Sequence, residues 1–151
     1  MSELGDLYQE VILEHSKHPR NFRVMDTANR QAEGYNPLCG DHYTIFMDVA
    51  DGTIRDISFQ GSGCAISKAS ASMMSQMLKS KTTAQAEELF SKFHSVVTGV
   101  AKEPPADDAD GLGKLAVFAG VAGFPTRIKC ATLAWHTLRA ALEGKQVAST
   151  E

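Results

Sequence analysis

The chain has 151 residues, of which 43% are hydrophobic and 22% are charged, as is usual for a single globular domain. Its 15 basic and 18 acidic residues give a net charge of -3, which argues against nucleic acid as a partner because phosphate binding needs clustered positive charge. No apolar stretch is long enough to cross a bilayer, and the first residues carry no signal-peptide pattern. We therefore expect one cytoplasmic domain over residues 1–151, not bound to a membrane.

The first half of the chain predicts a helix followed by a small number of strands. Apolar residues at helical spacing indicate an amphipathic helix from about Ser2 to His15. A weak strand is predicted over Arg30–Tyr35. Alternating residues then predict two strands, Tyr43–Ala50 and Ile54–Gln60, which an Asp-Gly turn joins into a hairpin.

Helices dominate the prediction after this hairpin. A helix of small residues opens at Cys64, directly after a Gly-Ser-Gly break at the end of the preceding strand. Thr82 and Gln85 have the spacing of a capping box, so they predict the start of a second amphipathic helix. The apolar stripe of that helix comprises Ala86, Leu89, Phe90, Phe93, Val96, Val97 and Val100.

The last third of the chain predicts a loop, a short helix and a final helix. The polar loop covers Lys102–Gly111, and the short helix covers about Leu112–Val121. The final helix has Thr126 as its predicted N-cap and Gly144 just beyond its end. We expect the tail after Gln146 to be frayed. Strands followed mainly by helices predict an α+β fold.

All three cysteines, Cys39, Cys64 and Cys130, lie at the ends of predicted elements beside glycine or proline breaks. Their odd number does not suit a secreted disulfide framework, and in a reducing cytosol they would remain thiols. A single cysteine is usually buried packing, whereas three at element ends favour one shared site. The N–H groups at a helix start should lower the pKa of Cys64 and, more weakly, that of Cys130.

A carboxylate adds a fourth candidate ligand to these thiols. Asp41 lies two residues after Cys39, and in an extended segment the two side chains would point the same way. Three thiolates and one carboxylate would satisfy a tetrahedral site for a cation such as zinc. Arg127 and Lys129 could balance the negative charge of that set. His42 is the weaker candidate for a fourth ligand, because its side chain would point opposite to that of Asp41.

Four segments spread over nearly the whole chain match a known family. They run from Leu7 to Asn21, from Asn36 to Asp41, from Gly61 to Met74 and from Phe124 to Ala131. On these segments the chain resembles the iron–sulfur cluster assembly scaffold family (IscU/NifU N-terminal-like), and within it the SufU-type branch. The resemblance implies an α+β fold in which a small antiparallel sheet of about three strands packs against several helices.

Carried over by position, the resemblance implies a metal or cluster site formed by Cys39, Asp41, Cys64 and Cys130. It also implies that Cys39 accepts persulfide sulfur from a SufS-like cysteine desulfurase, and that the sulfur then passes to downstream cluster assembly proteins. Lys129 stands where the IscU branch has a histidine, and the stretch from Cys64 to Cys130 is longer than in that branch. These departures favour the zinc-dependent sulfurtransferase of the SufU-like branch.

Two other functions remain open at the level of sequence. In the first, the same four residues hold a nascent [2Fe–2S] cluster on a scaffold that transfers it to apo-proteins. In the second, zinc is purely structural in an interaction protein. Thiolate and carboxylate ligands accept zinc and iron alike, so the residue types fit either metal.

Overall fold

The chain forms one sheet with helices packed against it, which confirms the predicted α+β fold. The computed structural model describes residues 3–37, 39–98, 118, 121, 123–145 and 147–149. No helix among these residues combines the length and the apolar character that crossing a membrane requires. The elements in chain order are α1 (Glu3–Lys17), β1 (Arg30–Asn36), β2 (Asp41–Ala50), β3 (Thr53–Ser62), α2 (Ala65–Leu78), α3 (Thr83–Val97), α4 (Pro125–Leu142) and β4 (Val147–Ser149).

The sheet has the strand order β3-β2-β1-β4, and its first three strands are antiparallel, as predicted. Asp51 and Gly52 both have positive φ in the turn of the predicted hairpin. The predicted Gly-Ser-Gly break is confirmed only at Gly63, since β3 continues through Gly61 to Ser62. Gly61 pairs with Tyr43 of β2, and a Cβ at this glycine would collide with the backbone of β2, so the residue permits close pairing rather than ending the strand.

The C-terminal tail differs from its prediction. Val147–Ser149 form β4 instead of fraying, and they pair in parallel with Glu33, Gly34 and Tyr35 of β1. Three residues are too few to show a strand pattern in the sequence. β4 forms because its main chain can pair with the edge of β1, and the sequence of β4 itself does not show that this edge is nearby.

The helix starts follow local chemistry, with one difference from the prediction. Cys64 is the N-cap of α2, and the capping box of Thr82 and Gln85 forms the start of α3, both as predicted. Thr126 is not the cap of α4, because Phe124 takes that position and Pro125 begins the helix, where its missing N–H costs nothing. The predicted loop and short helix over residues 102–121 lie outside the described residues, apart from the buried residues Phe118 and Val121.

The core lies between the sheet and the helices α2 and α4, with α3 packed on α4. Trp135 of α4 stacks on Phe93 of α3, with 4.8 Å between the ring centroids, and its indole N–H donates to Ser70 Oγ of α2 at 3.2 Å. Ser70 Oγ itself donates to the carbonyl oxygen of Ala131 at 2.6 Å. These contacts fix α2 and α4 against each other. The largest fully buried side chains include Trp135, Tyr43, Phe59, Phe93, Phe118, Ile45 and Met47.

Candidate metal centre

Four sequence-distant side chains meet at one end of the sheet. Cys39 lies in the turn between β1 and β2, and Asp41 is the first residue of β2. Cys64 caps α2 immediately after β3, while Cys130 lies near the start of α4. The predicted extended geometry of the segment between Cys39 and Asp41 is wrong. Gly40 has a φ of 73° in a tight turn, and this turn brings the two side chains together.

The spacing of three of these side chains suits a single ion. The ligand-type atoms of Cys39, Asp41 and Cys130 all lie within 4.8 Å of one another. The Sγ atoms of Cys39 and Cys130 are 3.4 Å apart, and all three cysteines are free thiols. Zn–S bonds of about 2.3 Å in a tetrahedral site would separate two sulfur atoms by about 3.8 Å. This donor set and its spacing therefore fit a four-coordinate zinc ion.

Cys64 lies beside this group of three rather than within it. Its main-chain N–H donates to Asp41 Oδ1 at 2.9 Å, and its Sγ accepts from the main-chain N–H of Ser67 at 3.4 Å. Cys64 thus bonds one candidate ligand, Asp41, through its main chain while its thiol caps α2.

The thiols of Cys64 and Cys130 have opposite pKa shifts. The hydrogen bond from Cys130, helped by those from Ser67 and opposed by burial, lowers the pKa of Cys64 to about 6, which confirms the predicted direction. The lowering predicted for Cys130 is wrong. The hydrogen bond to Cys64, burial and the neighbouring Cys39 raise the pKa of Cys130, and these effects outweigh the helix start.

Hydrogen bonds hold both oxygens of the Asp41 carboxylate. Asn36 Nδ2 donates to Oδ2 at 3.1 Å, and Ser67 Oγ donates to Oδ1 at 3.2 Å. The hydroxyl of Tyr43 lies 2.9 Å from Ser67 Oγ, and burial raises its pKa so that it stays protonated. All four side chains are buried, and such outer contacts fix the orientation of a ligand.

Gly63 leaves the space that these polar groups occupy. A Cβ at this position would lie 2.5 Å from Asp41 Oδ1 and 2.6 Å from both Ser67 Oγ and the Tyr43 hydroxyl oxygen. Real Cβ atoms do not approach other atoms so closely, so any larger residue would displace the carboxylate or its partners. The glycine before Cys64 is therefore required by close packing.

Neither predicted supporting cation contacts the candidate ligands. The Arg127 guanidinium lies over the ring of Phe124, 4.6 Å from its centroid. Within the described ranges, no hydrogen bond or ion pair connects Arg127 or Lys129 to the thiols or to the carboxylate. The charge-balancing role predicted for these residues thus lacks a contact to support it.

His42 faces away from the candidate ligands, as its position in the strand predicts. Its ring stacks on Tyr35, with 4.3 Å between the centroids. Its Nε2 lies 3.4 Å from a carboxylate oxygen of Glu33. Tyr35 and Glu33 both belong to β1, the strand that pairs with β2. The preference for Asp41 over His42 as a ligand agrees with this geometry.

Sequence reasoning missed Asn36, Ser67 and Gly63 as parts of this site. Asn36 stands beside Pro37, and the local sequence gives it no metal-ligating chemistry of its own. A usable signal was present, because Asn36 continues the row of inward-facing β1 residues that contains Ala32 and Gly34. An amide at the end of an apolar row is buried, and a buried amide needs partners.

Comparison with known proteins defines the class to which this fold and site belong. The family model for the NifU-like N terminal domain matches residues 7–131. The chain therefore belongs to this family, which confirms the resemblance noted from its sequence. It is a member of the IscU/SufU group of iron–sulfur cluster assembly proteins.

Individual relatives in this group carry two functional names. The chain is 40% identical over 137 residues to the zinc-dependent sulfurtransferase SufU of Bacillus subtilis (strain 168), covering 91% of this chain and 90% of that protein. It is 39% identical over 143 residues to the iron-sulfur cluster assembly scaffold protein IscU of Streptococcus pyogenes serotype M1, covering 95% and 87%. The structure of FiSufU from Fervidobacterium islandicum AW-1 matches with a TM-score of 0.79 at 33% identity, covering 88% and 94%.

Proposed function

We propose that this chain is a zinc-dependent sulfurtransferase that accepts persulfide sulfur from a cysteine desulfurase and passes it on for iron–sulfur cluster assembly. The observation that supports it is the convergence of Cys39, Asp41 and Cys130 within 4.8 Å, with Cys64 alongside. The 40% identity to a relative named as a zinc-dependent sulfurtransferase favours the same function.

In this proposal the ion is held by Cys39, Asp41, Cys64 and Cys130. Three thiolates and a carboxylate form a donor set that zinc accepts in tetrahedral geometry. A pKa of about 6 makes Cys64 a thiolate at neutral pH, so it can bind a cation without first losing a proton. Zinc, when bound, stabilises the thiolate form of its sulfur ligands.

Cys39 is the proposed sulfur acceptor because it is the exposed member of the set. Cys64 is half-buried and Cys130 is buried, so a partner protein can reach Cys39 most directly. The Cys39 thiolate attacks the terminal sulfur of the desulfurase persulfide. A new S–S bond forms at Cys39 as the S–S bond on the desulfurase breaks, and the desulfurase cysteine leaves as a thiolate. The exchange is balanced and needs no other oxidant or reductant.

The proposal places this reaction in the cytoplasm. Three free thiols that must react reversibly need a reducing compartment, where they do not form disulfides. The Cys39 and Cys130 sulfur atoms are only 3.4 Å apart, so an oxidising compartment would favour a disulfide between these two thiols.

A desulfurase assay with the zinc-loaded protein tests the proposal, and mass spectrometry locates the persulfide. We expect the protein to stimulate cysteine turnover and to carry the extra sulfur on Cys39. Cys39→Ala should abolish both, and its metal content should be measured to separate loss of the acceptor from loss of zinc. Stimulation by Cys39→Ala equal to that of the wild type would contradict the acceptor role.

A scaffold for a [2Fe–2S] cluster is the second candidate, favoured by the 39% identity to an IscU protein. The same thiolates could hold such a cluster. Anaerobic purification with metal and sulfide analysis distinguishes the two. Stoichiometric zinc with stimulated turnover supports sulfur transfer, whereas bound iron and sulfide that pass to an apo-protein support the scaffold. If zinc removal unfolds the protein yet sulfur never reaches Cys39, the zinc is structural.

A further inference from the structure

Asn36 combines complete burial with an unusual set of partners. It is the last residue of β1, and 0% of its surface is exposed. A buried amide is costly unless it forms hydrogen bonds. Among the residues that the structure describes, both hydrogen bonds of its side chain go to the candidate metal centre.

Asn36 reaches three of the four candidate ligands. Its Nδ2 donates to Asp41 Oδ2 at 3.1 Å and to Cys130 Sγ at 3.6 Å. Its main-chain carbonyl oxygen accepts from the N–H groups of Cys39 at 3.2 Å and Gly40 at 2.9 Å, which closes the turn that carries Cys39. One residue therefore connects ligands that belong to a turn, a strand and a helix.

The orientation of the Asn36 amide follows from these neighbours. The Asp41 carboxylate can only accept hydrogen bonds, so the NH₂ group must face it, and the Cys130 sulfur accepts the second bond from the same group. In the reversed orientation Oδ1 would face the Asp41 carboxylate and repel it. The observed orientation leaves Oδ1 buried with no hydrogen-bond partner among the described residues. That loss is tolerated only because the two bonds from Nδ2 compensate for it.

We propose that Asn36 is a positioning residue of the metal centre, one that holds Asp41 and Cys130 at ligand spacing before the ion enters. Its N–H groups also place partial positive charge against the Asp41 carboxylate and the Cys130 sulfur, the two ligands that it holds together. The inference rests on the metal centre of the proposed function, and it does not depend on sulfur transfer. Removal of such an outer contact typically weakens metal binding about 10–100-fold.

Zinc competition against a chromophoric chelator, with cobalt(II) absorption as a second readout, tests this role. Asn36→Asp keeps the shape but replaces the donor with an acceptor, and Asn36→Ala removes the group. Asn29→Ala is the matched control, because the Asn29 side chain bonds the main chain of Val49 at the other end of β2. We expect both Asn36 variants to bind zinc about 10–100-fold more weakly, with altered cobalt ligand-field bands, and the control to match the wild type.

The outcomes separate the two proposals. Wild-type zinc affinity and unchanged cobalt bands in Asn36→Asp would overturn the positioning role, even if that variant melts at a lower temperature. Weakened zinc binding in folded Asn36 variants, together with a wild type that never receives sulfur, would support the positioning role and contradict the sulfurtransferase. Zinc binding that persists without Cys130 would overturn both.

Discussion

Two clusters of metal-binding residue types in the described part of the chain differ in geometry. At the end of the sheet, the ligand-type atoms of Cys39, Asp41 and Cys130 lie within 4.8 Å of one another. Between α3 and α4, the rings of His94 and His136 have centroids 6.1 Å apart beside an open cavity of about 320 Å³. In the first cluster, the side chains of Asn36 and Ser67 donate hydrogen bonds to the Asp41 carboxylate.

The groups around the second cluster are already engaged with one another. The His136 ring packs edge-on against Phe90, with 5.3 Å between the centroids. Arg139 lies over the same Phe90 ring at 4.2 Å and pairs with Glu87 at 3.0 Å. A guanidinium beside two imidazoles would repel a metal cation. The comparison shows that metal-binding residue types alone do not make a metal site. The ligand atoms must also lie close together, and neighbouring side chains must hold them there by hydrogen bonds.

Loss of one ligand from each cluster gives the largest expected contrast. Cys130→Ala should weaken zinc binding more than about 100-fold, because loss of a direct ligand exceeds the effect of an outer contact. His136→Ala should leave zinc binding unchanged. Both affinities can be measured by competition with a chromophoric chelator. Equal losses in the two variants would remove the distinction between the clusters.

Filling the space beside the first cluster should destabilise the fold. Gly63→Ala would place a methyl group against Asp41, Ser67 and Tyr43, and we expect the free energy of unfolding to fall by about 1–3 kcal/mol. Gly123→Ala is the control, since nothing lies within 4 Å of a Cβ at that position. Urea denaturation of the metal-free proteins measures both changes. A stable Gly63→Ala variant would indicate that the polar groups shift freely.

Thiol reactivity should distinguish Cys64 from its neighbour in the metal-free protein. Because the pKa of Cys64 is about 6, its alkylation by iodoacetamide should change little between about pH 7 and about pH 9. Cys130→Ala removes the hydrogen bond that lowers this pKa, so the alkylation rate should then rise with pH over the same range. Peptide mapping by mass spectrometry reports each site. A flat profile in both proteins would exclude Cys130 as the cause.

The second cluster should contribute a small pH dependence of stability. Burial, followed by His94 and Arg139, lowers the pKa of His136. The unfolded chain therefore binds this proton more readily, so the contribution of His136 to stability is present above about pH 6.5 and is lost as the pH falls below it. His136→Gln should reduce the difference in urea midpoint between about pH 8 and about pH 5.5. An unchanged difference would show that other groups cause it.

Features that depend on neighbouring residues could be predicted from the sequence. The hairpin, the capping box and the placement of each cysteine at an element end follow from local patterns. The pairing of Cys39 with Asp41 was expected for the wrong reason, since a turn closed on the Asn36 carbonyl brings them together rather than an extended strand. The two side chains do lie together, but the local geometry expected for them is wrong.

Features that depend on distant parts of the chain could not be predicted in this way. The raised pKa of Cys130 requires the proximity of Cys64 and Cys39, which only the packed fold provides. The hydrogen bond from Asn36 to Cys130 likewise joins residues that are 94 positions apart in the sequence. Arg127 is adjacent to the site in sequence, yet its guanidinium packs on Phe124. In each case, separation along the sequence does not predict which side chains are in contact.

The short strand β4 has a consequence for how copies of this protein behave together. It occupies the edge of β1, opposite β2, next to residues Glu33 to Tyr35. An uncovered strand edge invites pairing with other chains and so promotes aggregation. By pairing with β1, β4 covers part of this edge. It thereby prevents that part of β1, the strand that leads into the Cys39 turn, from pairing with a second copy of the protein.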